Sequence, residues 1–88
     1  MLRRTIKVTN KLGLHARPSA LLVKAATKYR SEFFIEKDGI QVNGKSIMGV
    51  MMLAAECGST LHLIADGVDE EYLLDEIQAL INGGFGED

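Results

Sequence analysis

The chain has 88 residues, 47% of them apolar and 25% charged, with nine glycines and one proline, a balance that suits a globular protein and excludes disorder. At this length only about 60–65% of the unfolded surface can be buried, so one thin core within a single domain over residues 1–88 is expected. The formal charge of −2 conceals a strong asymmetry: residues up to Ser31 carry eight of the ten cations and no acid, and the remainder carries Lys37 and Lys45 against all twelve acids.

The cationic third offers a positive face to an acidic partner or to phosphate. Nucleic acid is disfavoured as a partner, because the chain is acidic overall and has no tryptophan, two tyrosines and three phenylalanines.

The start, Met1-Leu2-Arg3-Arg4-Thr5, leads into a strand pattern and not into a signal sequence. No run approaches the roughly 20 apolar residues of a membrane helix, so a cytoplasmic protein without membrane insertion is expected. Thr5 to Thr9 alternate polar and apolar, the mark of a strand with one buried face, and a loop with Asn10 and Gly13 follows. From Ala16 to Tyr29 the spacing is helical, with Pro18 tolerated in the first turn and Lys24, Lys28 and Arg30 near the negative end. Pro18, Leu22, Ala25, Ala26 and Tyr29 share one face, directed at the core, whereas Arg17, Ala20, Leu21 and Lys24 share another.

Glu32 to Lys37 and Ile40 to Asn43 read as strands joined by Asp38-Gly39, a strong hairpin signal. Ser46 is placed to cap a short helix through about Leu53. Cys57, the only cysteine, excludes an internal disulfide, suits a reducing compartment and is expected as a small semi-buried thiol near the Gly58-Ser59 turn. Thr60 to Ala65 form a further strand. A last helix starts at Asp69 as N-cap, buries Leu73, Ile77, Leu80 and Ile81, and stops at Asn82-Gly83-Gly84.

The order is βαββαβα, which argues for an α+β arrangement, an antiparallel sheet with helices packed on one face. By itself this pattern carries no function.

Chemistry concentrates in Leu12-Gly13-Leu14-His15-Ala16-Arg17-Pro18-Ser19-Ala20, which places one histidine at the mouth of a helix with a guanidinium two residues on. Amides at a helix N-terminus attract anions, so a phosphoryl group on that imidazole meets backbone donors and Arg17 together. Phosphoryl transfer requires positioning and charge stabilisation more than covalent machinery. His62, within Leu61-His62-Leu63-Ile64, is read as structural or solvent-facing, and two histidines without paired acids or cysteines make no metal site. No cofactor is expected.

The run Gly13-Leu14-His15-Ala16-Arg17-Pro18-Ser19-Ala20 resembles the active-site signature of the HPr family of phosphocarriers in the bacterial phosphoenolpyruvate-dependent phosphotransferase system. Lys45-Ser46-Ile47-Met48-Gly49-Val50-Met51 resembles the same family's regulatory-serine motif, in register with the first, and the resemblance spans essentially the whole chain. It implies an open-faced sandwich of four antiparallel strands and three helices, with phosphate carried on Nδ1 of His15 and stabilised by Arg17. It also implies receipt from Enzyme I, delivery to Enzyme IIA domains, and modification of Ser46 by an HPr kinase/phosphorylase, with a transcriptional regulator as a further partner.

The expected role is that of a monomeric carrier and not an enzyme, since no second acid, base or metal set accompanies His15. The alternative is a regulatory binding module whose complexes are controlled at Ser46. Apart from the resemblance, the helix after Ser46 is apolar all round, and a short helix on a sheet can bury only one side. Ile47, Met48 and Met51, beside Ala20, Leu21 and Lys24, are therefore expected to form a docking patch, for which methionine's adaptability is suited.

Overall fold

A computed structural model describes residues 1–87. The apolar alternation becomes four strands, β1 (Leu2–Lys7), β2 (Glu32–Lys37), β3 (Ile40–Asn43) and β4 (Thr60–Asp66), in one antiparallel sheet of order β1-β4-β2-β3. The two central strands carry the most apolar runs, because both are flanked by neighbours and their inward residues meet the helices: Phe33 and Ile35 of β2, and Leu61, Leu63 and Ala65 of β4, are buried. The β2–β3 hairpin turns at Asp38-Gly39, where both residues have positive φ (52° and 81°), the geometry of a tight turn that matches strand twist.

Three helices cover the other side of this core: α1 (Ala16–Ala26), α2 (Ile47–Met52) and α3 (Glu70–Asn82). Each contributes its apolar stripe, with Leu22 and Ala26 from α1, Val50 from α2, and Leu73, Leu74, Ile77 and Ile81 from α3 all fully buried. Leu80 is only partly buried and packs at the margin of this cluster. The expected α+β sandwich is therefore present, and a single 3-10 turn, Gly84–Gly86, follows α3.

Three local expectations are corrected. The first helix ends at Ala26 and not at Tyr29: Thr27 caps it with its hydroxyl donating to Lys24 O (2.9 Å), and Lys28 and Tyr29 amides turn to the carbonyls three residues back, tightening the last turn out of α geometry. Cys57 is exposed and not semi-buried, because the whole turn around it, Glu56 to Gly58, lies on the surface.

Asp69 does occupy the N-cap position of α3, but its side chain does not cap. The carboxylate accepts the Arg30 and Ser31 amides, each at 2.9 Å, and the Ser31 hydroxyl, tying α3 to the segment entering β2.

Those bonds, the Ser31 hydroxyl first, hold the Asp69 carboxyl down to about 2 from an ordinary 3.8. A carboxyl lowered in the folded state stabilises fully above its unfolded value, and that contribution fades as pH falls from there through about 2. Asp69→Asn is accordingly expected to lower Tm at pH 7, with the gap to the parent chain narrowing steadily as melts are recorded from pH 4 towards pH 2. Equal Tm values at pH 7 would exclude the clamp.

Candidate functional site

The loop between β1 and α1 is stitched to the rest of the chain through its backbone. Val8 N donates to Ser59 O (2.9 Å), Gly58 N to Val8 O (2.8 Å) and Leu14 N to Ala55 O (2.8 Å), while the Leu14 side chain is buried. Gly13 adopts φ +68° and donates to Asn10 O, closing a turn that a side chain would resist. Asn10 is buried and returns a hydrogen bond from Nδ2 to Gly13 O (2.7 Å). This frame delivers His15 as the N-cap residue of α1 in an extended conformation, with its carbonyl accepting from Ser19 N and its ring free of the capping role.

The helix mouth is open for a physical reason. The first-turn amides have no intrahelical acceptors, and Pro18 removes one of them, so among the described residues the Ala16 and Arg17 N–H groups remain to meet an anion at the positive end of the helix. Arg17 is largely exposed, with 68% of its side chain accessible, and its guanidinium lies on the same side of the mouth as His15. His15 and Arg17 are thus brought together as the sequence led one to expect. With Lys11 and Leu12 they line an open depression.

The depression has a wall that sequence reasoning missed. After α3 the chain reverses through Gly84, Phe85 and Gly86, all at positive φ, and the Phe85 ring is buried (3% accessible). This anchor brings Glu87 back over the loop: Oε2 lies 3.1 Å from His15 Nε2 and 3.9 Å from an Arg17 Nη atom, and Oε1 accepts from Asn10 Nδ2 at 3.0 Å. A carboxylate only accepts, so Nε2 is the protonated ring nitrogen in this arrangement. The available signal was an aromatic flanked by glycines just after a helix stop, but nothing local says what it packs on.

The residues expected at the docking patch are on the surface beside this site. Ala20 and Lys24 are exposed and Leu21 half-buried on α1, and α2, which packs against α1, exposes Ile47, Met48 and Met51, with Met48 at 75%. Met52 and Leu12, which were not anticipated, are as exposed as Met48. Ser46 caps α2, its Oγ accepting from Gly49 N at 3.1 Å. His62 lies apart on the helix-free face of the sheet, register-paired with Thr5 and Glu36, its Nδ1 2.9 Å from Thr5 Oγ1. Among the described residues no group of three His, Cys, Asp or Glu side chains could hold a metal, and no helix is long and apolar enough to cross a membrane.

Comparison with known proteins places these features. Residues 2–83 match the family model described as "PTS HPr component phosphorylation site". The phosphocarrier protein HPr of Cupriavidus necator is 52% identical over 87 residues, covering 99% of this chain and 98% of that one. A crystal structure of an HPr from Thermoanaerobacter tengcongensis, 46% identical, superposes with a TM-score of 0.97 over 100% of this chain and 99% of the other. A second structure from that organism, an HPr dimer, is 47% identical and gives 0.80 over 99% and 100%.

Proposed function

Because the chain belongs to the HPr family, whose members are phosphocarriers of the phosphotransferase system and not catalysts, we propose that it carries phosphate on Nδ1 of His15, received from Enzyme I and handed to Enzyme IIA domains in the cytoplasm. The observation that carries this reading is the placement of His15 at the mouth of α1, beside Arg17 and two amides with no acceptor among the described residues. With Nε2 occupied by Glu87, Nδ1 is the nitrogen left with a lone pair. It attacks phosphorus as the bond to the donor breaks, and the incoming charge is met by the Ala16 and Arg17 amides and by the guanidinium.

All these groups come from one chain, so a monomer suffices as the transfer unit. The defining test is incubation with phosphoenolpyruvate and Enzyme I, followed by intact-mass measurement. One added phosphate, labile in acid and stable in base, is expected, and none would overturn the reading.

Arg17→Ala should slow both receipt and delivery by about tenfold or more while leaving Tm nearly unchanged, since an exposed guanidinium compensates charge chiefly when phosphate is present. Lysine there should restore only part of the rate, lacking the planar fork. Stopped-flow transfer rates within twofold of the parent chain would exclude the role.

Ser46 is the proposed regulatory position, open to an HPr kinase/phosphorylase, and the Ala20, Leu21, Lys24, Ile47, Met48 and Met51 surface is the proposed docking site for the transfer partners and for a transcriptional regulator. A phosphate on Ser46 keeps an acceptor for the Gly49 amide, so the fold should hold. It also sets a charge of about −2 at the edge of an apolar surface that docking must desolvate. Ser46→Asp, a weaker mimic, is expected to raise the KM for transfer from Enzyme I by about tenfold with an unchanged melting curve. Unchanged kinetics would make Ser46 a cap alone.

A further inference from the structure

Glu87 is separated from His15 by nearly the whole chain, yet its side chain is the only described group placed against the imidazole's Nε2. Its placement is built and not incidental. Phe85 is sunk into the core cluster, the flanking glycines allow the reversal, and only 16% of the Glu87 side chain remains accessible. Asn10 holds the second carboxylate oxygen, and in doing so it leaves its own Oδ1 buried with no partner among the described residues. A buried oxygen without a partner is rare and costly, and here it accompanies the hold on Glu87.

We propose that Glu87 is a positioning residue for phosphoryl transfer, fixing His15 as the Nε2–H tautomer so that the Nδ1 lone pair is presented at the helix mouth. The inference rests on the reading of His15 as the acceptor. In the step itself the Nδ1–P bond forms and the donor leaves with the electron pair of its bond to phosphorus. The ring gains positive charge, its Nε2 proton stays in place, and the Glu87 carboxylate accepts that hydrogen bond throughout. A carboxylate hydrogen-bonded to the far nitrogen orients an imidazole and stabilises the imidazolium without itself taking the proton, and in metal sites the comparable carboxylate–histidine partner is worth about 10–100-fold when removed. At 3.9 Å from an Arg17 Nη atom, the Glu87 charge also faces the guanidinium without occupying its fork.

The test uses the full chain labelled with 15N at histidine. Long-range 15N–1H correlation at a pH where the ring is neutral reads the tautomer of His15 without any partner protein, and a transfer assay with phosphorylated Enzyme I reads the rate. Glu87→Ala is expected to convert a single Nε2–H pattern into a tautomer mixture and to slow phosphorylation about tenfold. Glu87→Gln, which keeps an accepting oxygen but loses the charge, should retain the Nε2–H pattern and recover part of the rate. Because Phe85, and not Glu87, anchors this segment in the core, Tm should change little in either variant. An unaltered Nε2–H pattern in Glu87→Ala overturns the proposal, and so does a tautomer mixture accompanied by the parental rate. Failure of the parent chain to take phosphate would remove the acceptor reading instead, and the spectra would still report what Glu87 does to the ring.

Discussion

Replacing His15 by alanine is expected to abolish the single phosphate added by Enzyme I and phosphoenolpyruvate, whereas His62→Ala should be labelled as fully as the parent chain. The two histidines differ in everything that phosphoryl transfer requires. His15 stands at a helix mouth with first-turn amides that have no acceptor among the described residues, a guanidinium and a carboxylate around it. His62 lies on the flat side of the sheet, hydrogen-bonded to Thr5 and register-paired with Glu36, an acid that would repel the incoming group. Neither ring belongs to the buried core cluster, so both variants should keep near-parental melting curves. Intact-mass measurement before and after mild acid reads the outcome directly. Retained acid-labile phosphate on His15→Ala would overturn the site assignment, and loss of labelling in His62→Ala would show that the sheet face participates.

A second large effect is expected at Gly13, through the frame and not the chemistry. A Cβ at this position would fall on Ala55 O, and it would sit 2.8 Å from Glu56 Cα, both backbone atoms of one segment, with no flexible side chain to yield. Its φ of +68° is itself strained for any residue with a side chain.

Gly13→Ala should therefore cost about 2–5 kcal/mol of stability by combining overpacking with backbone strain, or else break the Leu14 N to Ala55 O bond and release the loop. Either result misplaces His15 relative to the α1 amides, and a displacement of about 1 Å is enough to lower the transfer rate about a hundredfold. Urea denaturation and the Enzyme I assay separate the two routes: the first lowers the midpoint strongly, and the second leaves a folded protein that labels slowly. A variant with parental stability and rate would show that the loop reaches its position by another path.

Much of this was legible in the residues. Period-two alternation in β1 and β4, the Asp38-Gly39 turn, the Ser46 cap and the 3.6-residue stripe of α3 are local signals, set by neighbours a few positions apart. The nine residues around His15 likewise carry their chemistry locally, because a helix mouth, its free amides and an arginine two positions on follow from one stretch of chain.

What tertiary structure decided involves partners far apart in sequence. The strand order β1-β4-β2-β3 depends on which faces the helices cover. Asp69 gave up its cap for the Ser31 segment, 38 residues away, because three donors converge there and outweigh one helix amide. Glu87 reached His15 across 72 residues only because Phe85 found a place in a core assembled from every other element. A side chain's packing partner is a property of the folded whole, so the histidine proposed as acceptor could be read from the chain, while the carboxylate set against its ring could be found only in three dimensions.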